Sequence, residues 1–490
     1  MSSQRQQYDM LILGRGAGAF ASAIKASELS DGRASILMVG SGPIGGTCVN
    51  VGCVPSKYLL EASHSLYYPK HPRFEGIESC DPQFDFEKVM NGLRQLVSTF
   101  REAKYEKILA SYPNVEVLEG KGSFSSQDNE IEVFQDAKNE SQKKIVVVKG
   151  NRIIIATGSR PTAPPIEGLE EAGCLTSENI WDLKQRPKSI TIVGGGAIGL
   201  ELGQAFLHFG SDVSVVEVLP RIITPAEPEI SELLQKKLSE EGMKFYLRTR
   251  IERVWKKKDG RKFLEVLTPN GKSTVECDEI LVATGRAPNT EFLSLDRVGV
   301  KTDKRGAILT DASMRTSNAK IYAVGDCVSK KLMLETLAAR EGVVAATNII
   351  QGDESRAATV VDYLSTPWAV FTNPQVASVG VTEEELMKQI GTCSCRVVNL
   401  DEVPKAIMLG ETQGLVKLII NPNNDKVVGL HILSPLATEY VLEGVYAIKH
   451  GLTYEDIVNT THVFPTLAEG VKLTAQSFVR DIAKMSCCVE

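Results

Sequence analysis

Two glycine-rich turns, 180 residues apart, constrain the fold more than any other feature of the sequence. Each follows a short apolar run and opens a stretch with helical spacing, in "MLILGRGAGAFASAIKASEL" and in "ITIVGGGAIGLELGQAFLHF". Glycines permit a tight turn and a close backbone approach, and the N-terminus of the following helix favours an anion such as a pyrophosphate. The pattern therefore predicts two dinucleotide-binding turns. Their residues are Gly14, Gly16 and Ala19 in the first turn and Gly194, Gly196 and Gly199 in the second.

The repetition of these units predicts the order of the domains. "IIIATGSRP" runs into a proline-rich crossing near residue 160, and "ILVATGRAP" repeats this pattern near residues 285–290. A single core stops growing at roughly 250–300 residues, so a chain of 490 residues should contain several domains. We expect an α/β fold with two Rossmann-like dinucleotide-binding domains and a C-terminal α+β domain. The expected bounds are 1–160 with 286–360 for the first, 161–285 for the second and 361–490 for the third.

Composition excludes several classes of partner. The net charge is −6, from 55 basic and 61 acidic residues, so we expect neither nucleic acid nor an anionic membrane surface as a partner. We see no apolar run of the ~20 residues that a membrane span needs, and the N-terminal "MSSQRQQYD" is polar. We therefore expect a cytoplasmic protein. In this reducing compartment, we expect the ten cysteines either to take part in chemistry or to be tolerated as free thiols, rather than to form a disulfide framework.

The acidic residue expected after each turn differs between the two units. Glu217 ends "VSVVE", where its carboxylate could accept from the adenosine ribose hydroxyls and would repel a 2′-phosphate. This favours NADH over NADPH, although Arg221 could soften the preference. A solvated strand-end charge is the alternative reading of Glu217. After the first turn, Gly40 stands at the acidic position, so backbone groups or another side chain must hold that ribose.

A cysteine pair lies in "GGTCVNVGCVPSK", with Cys48 and Cys53 five positions apart. The preceding glycines would let the backbone approach a flavin. A helix that begins at the cysteines would lower the pKa of a thiol. The spacing is too long for a zinc knuckle, and no second matching pair follows. Two buried core cysteines are the remaining structural alternative.

With these motifs, the chain resembles the flavin-dependent disulfide oxidoreductases. "GGTCVNVGCVPSK" is similar to their active-site signature, and "ATGSRP", "ATGRAPNT", "IYAVGDCV" and "VFTNPQVASVGVTEEEL" follow in the family's order. The resemblance implies a glutathione reductase-like fold with FAD on the first domain and NADH or NADPH on the second. It also implies a homodimer, joined through the third domain, with active sites shared across the interface. The cofactor contacts that it implies, besides the two turns and Glu217, are Gly42, Thr47, Lys57, Thr157, Gly158, Gly285, Asp326 and Leu334.

The same resemblance implies roles for the catalytic residues. Cys53 would lie against the flavin as the charge-transfer thiol, and Cys48 would be the outer, exchanging thiol. Lys57 and Glu201 match the ion pair that the family places near the reactive nitrogen of the flavin. Asp326, in "VGDC", would bind the ribitol of FAD.

The general acid of the family's disulfide reductases has no direct counterpart in this chain. In "THVFPTLAEG", Glu469 matches the glutamate that orients a histidine five residues earlier, but that position is Phe464. His462 would share a face with Phe464 on an extended segment, so it is either a displaced acid or a structural histidine. A thiol leaving group needs a proton, so this substitution argues against an organic disulfide as substrate.

The chain ends in "SCCVE", with Cys487 and Cys488 adjacent. The branch of the family that reduces mercuric ion also lacks the histidine and receives its metal on two such C-terminal cysteines. Hg(II) is soft and moves between thiolates. We therefore expect thiol-bound Hg(II) as the substrate, passed from Cys487 and Cys488 to Cys48 and Cys53. Phe464 and Cys174 stand where this branch carries tyrosines, although the match at Cys174 is short, and Cys174 could equally be a buried spectator.

Two further readings stay open at this point. A disulfide reductase of the thioredoxin reductase or dihydrolipoamide dehydrogenase type would share the fold, and large thioredoxin reductases also end in a redox-active pair. A non-catalytic flavoprotein that binds metal or senses redox state would need neither the second turn nor the pair of Lys57 and Glu201. Two tolerated thiols on a frayed end are the plainest alternative for the tail.

Overall fold

The computed structural model describes residues 7–127, 129–135, 144–330, 332–352 and 358–484. The chain divides into two compact units, each built from three stretches of sequence. The described residues of the first unit lie within 7–55, 90–162 and 285–361, and those of the second within 56–89, 163–284 and 362–484. The predicted bounds of three separate domains stay a prediction.

The strands are short and mostly apolar. In chain order they are β1 (Gln7–Leu13), β2 (Ile36–Gly40), β3 (Val115–Glu119), β4 (Lys121–Phe124), β5 (Glu130–Gln135), β6 (Lys144–Ile155), β7 (Ser159–Pro161), β8 (Ser189–Val193), β9 (Asp212–Val216), β10 (Lys244–Tyr246), β11 (Arg250–Lys256), β12 (Lys262–Thr268), β13 (Gly271–Cys277), β14 (Glu279–Val282), β15 (Arg286–Pro288), β16 (Ile321–Ala323), β17 (Trp368–Val370), β18 (Gln375–Gly380), β19 (Ser394–Asn399), β20 (Leu415–Ile420) and β21 (Val427–Ser434).

The helices alternate with these strands in the two dinucleotide-binding regions. They are α1 (Ala17–Leu29), α2 (Gly46–Val51), α3 (Cys53–Lys70), α4 (Phe86–Arg101), α5 (Lys107–Ala110), α6 (Leu169–Ala172), α7 (Ala197–His208), α8 (Pro228–Glu240), α9 (Glu335–Gln351), α10 (Glu383–Ile390), α11 (Pro404–Leu409), α12 (Ala437–Tyr440), α13 (Leu442–His450), α14 (Tyr454–Val458) and α15 (Glu469–Gln476). Within the described residues, no helix is both long and apolar enough to cross a membrane.

The first unit is built on a mixed sheet with the strand order β3-β2-β1-β6-β5-β4, in which β16 also pairs with β6. β1, β2, β3, β6 and β16 run parallel, whereas β5 runs antiparallel to both of its neighbours, β4 and β6. Helix α1 packs against α9. The two helices cross closely, as shown by a Cβ at Gly342, which would lie only 2.3 Å from the carbonyl oxygen of Gly18.

The parallel strands of this sheet end together at the edge where the first glycine turn begins.

The second unit contains three sheets. A parallel sheet has the order β10-β9-β8-β14, and β11, β12 and β13 form an antiparallel sheet. The C-terminal part forms an antiparallel sheet in the order β17-β18-β21-β20-β19, against which α13 and α15 pack. These elements confirm the predicted fold class.

The structure modifies one local prediction and agrees with another. Spacing over 86–109 predicts one amphipathic helix, but α4 ends at Arg101 and a π-helical turn, Glu102–Glu106, separates it from α5. The apolar spacing continues through this turn, so the sequence carries no signal for it. The polar stretch 125–145 is predicted as a hairpin or loop, and β5 indeed pairs antiparallel with β6, while residues 136–143 lie outside the described residues.

Candidate active site

The segment that carries the two cysteines, residues 42–53, packs directly against the first glycine turn. Gly45 and Gly46 have φ angles of 94° and 64°, a region that favours glycine. A Cβ at Gly46 would lie 2.6 Å from the Cα of Gly16. The paired glycines therefore serve a close backbone contact, which places the start of α2 directly against the predicted dinucleotide turn.

Asn50 holds the loop between the cysteines. Its Nδ2 donates to the carbonyl oxygens of Ile44 and Gly46 at 2.9 and 2.8 Å, and its Oδ1 accepts from Arg101 at 3.0 Å. Gly52 lets the chain fold back tightly, because a Cβ there would lie 3.0 Å from the carbonyl oxygen of Thr47. Sequence reasoning did not identify Asn50, although an amide between two cysteines was a signal that could have been noticed.

Cys48 lies within α2 and Cys53 is the first residue of α3, so one of the two cysteines begins a helix. Both are thiols rather than a disulfide, with Cys48 half-buried and Cys53 exposed. A hydrogen bond between the two side chains, together with burial and the charges of Cys53 and Glu335, raises the pKa of the Cys48 thiol. The two thiols titrate as a coupled pair, and the protonated form of Cys48 is favoured within it.

Tyr105 is a neighbour of this pair that the sequence did not indicate. It lies in the π-helical turn, and its ring would contact a Cβ at Gly45. Burial and the negative charges of Glu335, Cys48 and Cys53 raise the pKa of Tyr105 to about 12, and its hydroxyl hydrogen-bonds to Glu335. A neutral phenol therefore stands next to the thiols at neutral pH. Single-turn π-helical segments occur frequently at functional sites.

The first dinucleotide turn has the backbone geometry that the spacing predicts. Gly14 has a φ of 141°, and a Cβ at this position would lie 2.1 Å from the carbonyl oxygen of Ala156. Gly16 is the residue before α1, and Ala19 is buried within that helix. The N-terminal N–H groups of α1 are thus available to a pyrophosphate, and these residues fit FAD.

Arg15 and Glu119 lie beside Gly40, the sequence position at which an acidic residue is expected. A Cβ at Gly40 would lie 2.7 Å from the Cγ of Arg15, so the arginine side chain passes over this glycine. Nη1 of Arg15 donates to the carbonyl oxygen of Gly42 at 2.7 Å and lies 3.9 Å from Oε2 of Glu119. Glu119 is the strand neighbour of Gly40. With Pro43, Ile44 and Val117 among their neighbours, Arg15 and Glu119 line a surface pocket of about 520 Å³.

Asp326 lies in a short 3₁₀ turn, Gly325–Cys327, between β16 and α9. Its Oδ2 accepts a hydrogen bond from the Ser159 hydroxyl at 2.6 Å, and Nε of Arg286 donates to the same hydroxyl at 2.7 Å. Asn289 links Thr157 and Gly158, two of the predicted cofactor contacts. Its side-chain Nδ2 donates to the carbonyl oxygen of Thr157, and its backbone N–H donates to that of Gly158.

The remaining candidates of the first unit are backbone positions. Gly42, Gly158 and Gly285 all have positive φ angles, and Leu334 precedes the first turn of α9. Thr47 is exposed on α2. The structure brings these residues into the same unit as Cys48, Cys53 and Asp326. Their contacts with a cofactor stay a prediction.

The second dinucleotide turn repeats this geometry in the second unit. A Cβ at Gly194 would lie 2.5 Å from the carbonyl oxygen of Ala283, and one at Gly199 would lie 2.3 Å from that of Gly194. Gly196 precedes α7. The carboxylate of Glu217 accepts from the backbone N–H of Gly195 at 2.7 Å and of Leu219 at 2.9 Å. Glu217 thus lies beside the turn, where it also stabilises the turn.

Lys57 and Glu201 form an ion pair with 2.6 Å between Nζ and Oε2. Glu201 is only 5% exposed, and its Oε1 accepts from the backbone N–H of Phe371 at 2.9 Å. Nζ of Lys57 also lies 4.4 Å from the centre of the Phe371 ring. Lys57 is one helical turn beyond Cys53 on α3, so the two residues lie on the same face of this helix.

His462 is engaged at both ring nitrogens. Nδ1 lies 3.0 Å from the carbonyl oxygen of Thr460, and Nε2 lies 3.1 Å from a carboxylate oxygen of Glu443, whose hydrogen bond raises the pKa of His462. Glu443, rather than Glu469, orients this histidine. Glu469 instead accepts from the backbone N–H of Thr466 at 3.1 Å. These contacts are those of a structural histidine, and the role of His462 as an acid stays a prediction.

The predictions for Phe464, Cys174 and the C-terminal cysteines have different outcomes. Phe464 is 49% exposed, so a side chain that cannot carry a proton stands at the surface where the family's acid is expected. Cys174 packs at the edge of an apolar cluster, and burial raises the pKa of its thiol. This environment suits a spectator thiol. Cys487 and Cys488 lie outside the described residues.

Comparison with protein families defines the class of protein. Residues 8–342 match the model of the pyridine nucleotide-disulphide oxidoreductases, and residues 366–475 match the dimerisation domain of the same family. The chain belongs to the pyridine nucleotide-disulphide oxidoreductase family.

Within this family, the similar curated proteins are mercuric reductases. The chain is 39% identical to the mercuric reductase of Streptomyces lividans, over 98% of both proteins. It is also 39% identical to that of Lysinibacillus sphaericus, over 98% of this chain and 84% of the relative. The sequence identity to the mercuric reductase of Staphylococcus aureus is 36%, over 98% of this chain and 84% of the relative.

A solved structure supports the fold independently. The HOCl-induced flavoprotein disulfide reductase RclA of Escherichia coli, solved as a Cu(II) complex, superposes with a TM-score of 0.82. It covers 97% of this chain and 100% of its own, at 23% identity. At this level of identity the likeness concerns the fold alone.

Proposed function

We propose that the protein reduces Hg(II) to Hg(0) with NAD(P)H and thereby detoxifies mercury. The overall reaction transfers two electrons, so Hg(II) and NAD(P)H give Hg(0), NAD(P)⁺ and one proton. The observation that carries this function is the hydrogen-bonded pair of Cys48 and Cys53 in a chain with Phe464 at the position of the disulfide acid. The similarity to mercuric reductases over nearly the whole chain supports it.

The two dinucleotide turns fit FAD in the first unit and a nicotinamide nucleotide in the second. When bound, FAD supplies the route by which two electrons pass from the nicotinamide to the thiols and the metal. We infer a modest preference for NADH, because the Glu217 carboxylate beside the second turn would repel a 2′-phosphate. The cytoplasm is the compartment that offers NAD(P)H and excess thiols.

The residues of this chain would act as ligands and as electrostatic supports. Both cysteines would bind Hg(II) as thiolates, and the raised pKa of Cys48 means that its proton has to be removed on binding. The Glu335 carboxylate, which interacts with both Cys48 and Tyr105, is a group that could accept this proton. Lys57, held by Glu201, supplies a fixed positive charge one turn beyond Cys53.

The tail would deliver the metal. Cys487 and Cys488 would take Hg(II) from solution thiols and transfer it by exchange to Cys48 and Cys53, with each new Hg–S bond replacing an old one. We further propose that the tail of one subunit serves the site of its partner in a homodimer. The match to the family's dimerisation domain supports this arrangement.

The function is tested by comparing electron acceptors. Purified holoenzyme should oxidise NAD(P)H when Hg(II) is added with excess thiol, and volatile mercury should leave the solution. Oxidised glutathione and oxidised thioredoxin serve as the competing acceptors. Brisk turnover of either disulfide, with no response to Hg(II), would assign the protein to the disulfide reductases instead.

A tail variant tests the route of the metal. Cys487→Ser/Cys488→Ser should keep the flavin spectrum but lose most turnover on thiol-bound Hg(II), whereas Cys80→Ser should match the unaltered enzyme. Full activity of the tail variant would remove the tail from the mechanism.

A further inference from the structure

A second pair of thiols lies in the C-terminal part of the second unit. Cys393 directly precedes β19 and Cys395 lies within it, so the two side chains share one face of the extended chain. Sγ of Cys393 lies 3.6 Å from Oε1 of Glu383, and Sγ of Cys395 lies 3.4 Å from Oε2. All three side chains are half-buried, and their ligand atoms lie within 4.8 Å of one another.

The charge at this cluster is fixed by a buried lysine. Nζ of Lys417, which is 1% exposed, lies 2.7 Å from Oε2 of Glu383 and 2.9 Å from carboxylate oxygens of Glu227 and Glu229. The hydrogen bond from Lys417 lowers the pKa of Glu383. Burial and the charge of Glu383 raise the pKa of Cys395 to about 12. Both thiols donate to the same carboxylate, which also accepts from Lys417.

We propose that Cys393, Cys395 and Glu383 form a binding site for a thiophilic divalent cation, separate from the redox pair. Each S–H proton points to the carboxylate, so a single ion in place of the two protons would contact all three ligands. Tetrahedral zinc with bonds of ~2.3 Å to sulfur places two sulfur atoms roughly 3.8 Å apart. The ligand atoms of this cluster lie within 4.8 Å of one another, which is compatible with that separation. Lys417 holds Oε2, which leaves Oε1 as the oxygen ligand.

The charge of the site selects a divalent ion. Binding breaks two S–H bonds, forms two metal–sulfur bonds and releases two protons to solvent, with no change of oxidation state. Two protons are replaced by a charge of two, so the net charge of the cluster is unchanged. Thiolate ligands select soft or borderline ions such as Zn(II), Cd(II) and Hg(II) over Mg(II) and Ca(II). The neighbouring carboxylates of Glu227 and Glu229 already hold the Lys417 ammonium.

The experiment uses Cd(II) alone, with FAD-loaded full-length protein and no nicotinamide nucleotide. The background variant carries serine at Cys48, Cys53, Cys487 and Cys488, so binding does not depend on the proposed reductase activity. It should bind one Cd(II) per chain, with a sulfur-to-metal charge-transfer band in the ultraviolet and two protons released per ion. Adding Cys393→Ser/Cys395→Ser should abolish all three signals. Adding Cys80→Ser/Cys174→Ser instead should preserve them.

A second measurement avoids any question of folding. In the unaltered holoenzyme, Cd(II) should protect both Cys393 and Cys395 from alkylation, as read from peptide masses, and Mg(II) should protect neither. Unchanged alkylation of this pair, or unchanged Cd(II) stoichiometry in the background lacking the pair, would overturn the proposal. Loss of Hg(II) reduction with retained Cd(II) binding would count only against the proposed reductase.

Discussion

At the scale of single residues, the first dinucleotide turn shows how the loss of an acidic residue at one position is accompanied by new side chains beside it. Gly40 replaces an expected carboxylate, and Arg15 fills the space that a side chain at Gly40 would need. The arginine then faces Glu119 on the neighbouring strand. A carboxylate is therefore again present at this edge of the sheet, but it comes from β3 rather than from β2.

This exchange predicts that Glu119 contributes to FAD affinity. Glu119→Gln should weaken FAD binding by about tenfold, because a hydrogen bond to a charged group contributes roughly 1.5–3 kcal/mol. The measurement is the titration of apoprotein with FAD, followed by quenching of flavin fluorescence. Glu132→Gln, on β5 of the same sheet, is the matched control. Equal affinities of the two variants would mean that backbone groups hold the ribose.

The ion pair of Lys57 and Glu201 gives a second residue-scale prediction. Lys57→Met should lower the apparent Tm clearly, because removing one partner of a buried pair costs about 3–5 kcal/mol. Since Lys57 is 32% exposed on its side chain, we expect the lower end of that range or less. Glu201→Gln should cost less, because the Lys57 charge that it leaves unpaired is partly exposed and the new amide oxygen can still accept from Phe371. The reverse order of the two Tm values would contradict the role given to Glu201.

At the scale of elements, the sequence predicts those parts in which neighbouring residues decide the structure. The glycine turns and their helices follow from apolar strands, glycine spacing and helix periodicity, all within about 30 residues. Three other features depend on distant partners. Glu119 meets Gly40 through strand pairing, Glu443 reaches His462 across a helix, and Tyr105 meets the thiols through a π-helical turn. None of these partners can be read from local spacing.

Helices α3 and α7 meet through a cluster that should respond to pH. Burial, followed by the charge of His208, lowers the pKa of His64 from 6.5 to about 4, and His208 pairs with Glu241 at 3.0 Å. The unfolded chain therefore binds the additional proton between pH 6.5 and 4. The contribution of neutral His64 to the free energy of unfolding should therefore be fully present above pH 6.5. The free energy of unfolding should fall by about 1 kcal/mol per pH unit as the pH drops through this window.

The measurement is the urea midpoint of unfolding as a function of pH. His64→Gln should flatten the dependence between pH 6.5 and 4, whereas His71→Gln, at an exposed histidine near the end of α3, should leave it unchanged. An unaltered pH slope in the His64 variant would assign the acid sensitivity to other groups.

At the scale of the whole molecule, the dimer can be tested by combining two inactive chains. One chain carries Cys487→Ser/Cys488→Ser and the other carries Cys48→Ser/Cys53→Ser. If a tail serves the partner subunit, a hybrid dimer has one complete site and one site with both defects. If a tail serves its own subunit, every site lacks one pair. Random pairing then predicts recovery of roughly a quarter of the normal turnover only in the shared arrangement.

The assay is the turnover of thiol-bound Hg(II) after the two variants are refolded together. Each variant refolded by itself provides the baseline. A mixture no more active than its components would place each tail at the site of its own subunit.

The contact between Gly46 and Gly16 has a consequence for inheritance and engineering. Because the backbones touch where Gly46 has no room for a side chain, the segment that carries the cysteines and the dinucleotide turn form one interlocking piece. A change in the path of either segment displaces the other. Grafting the cysteines alone onto a related scaffold should therefore misplace them, whereas residues 14–19 and 42–53 moved as a set should keep their geometry. Lineages that alter one segment are expected to carry a matching change in the other.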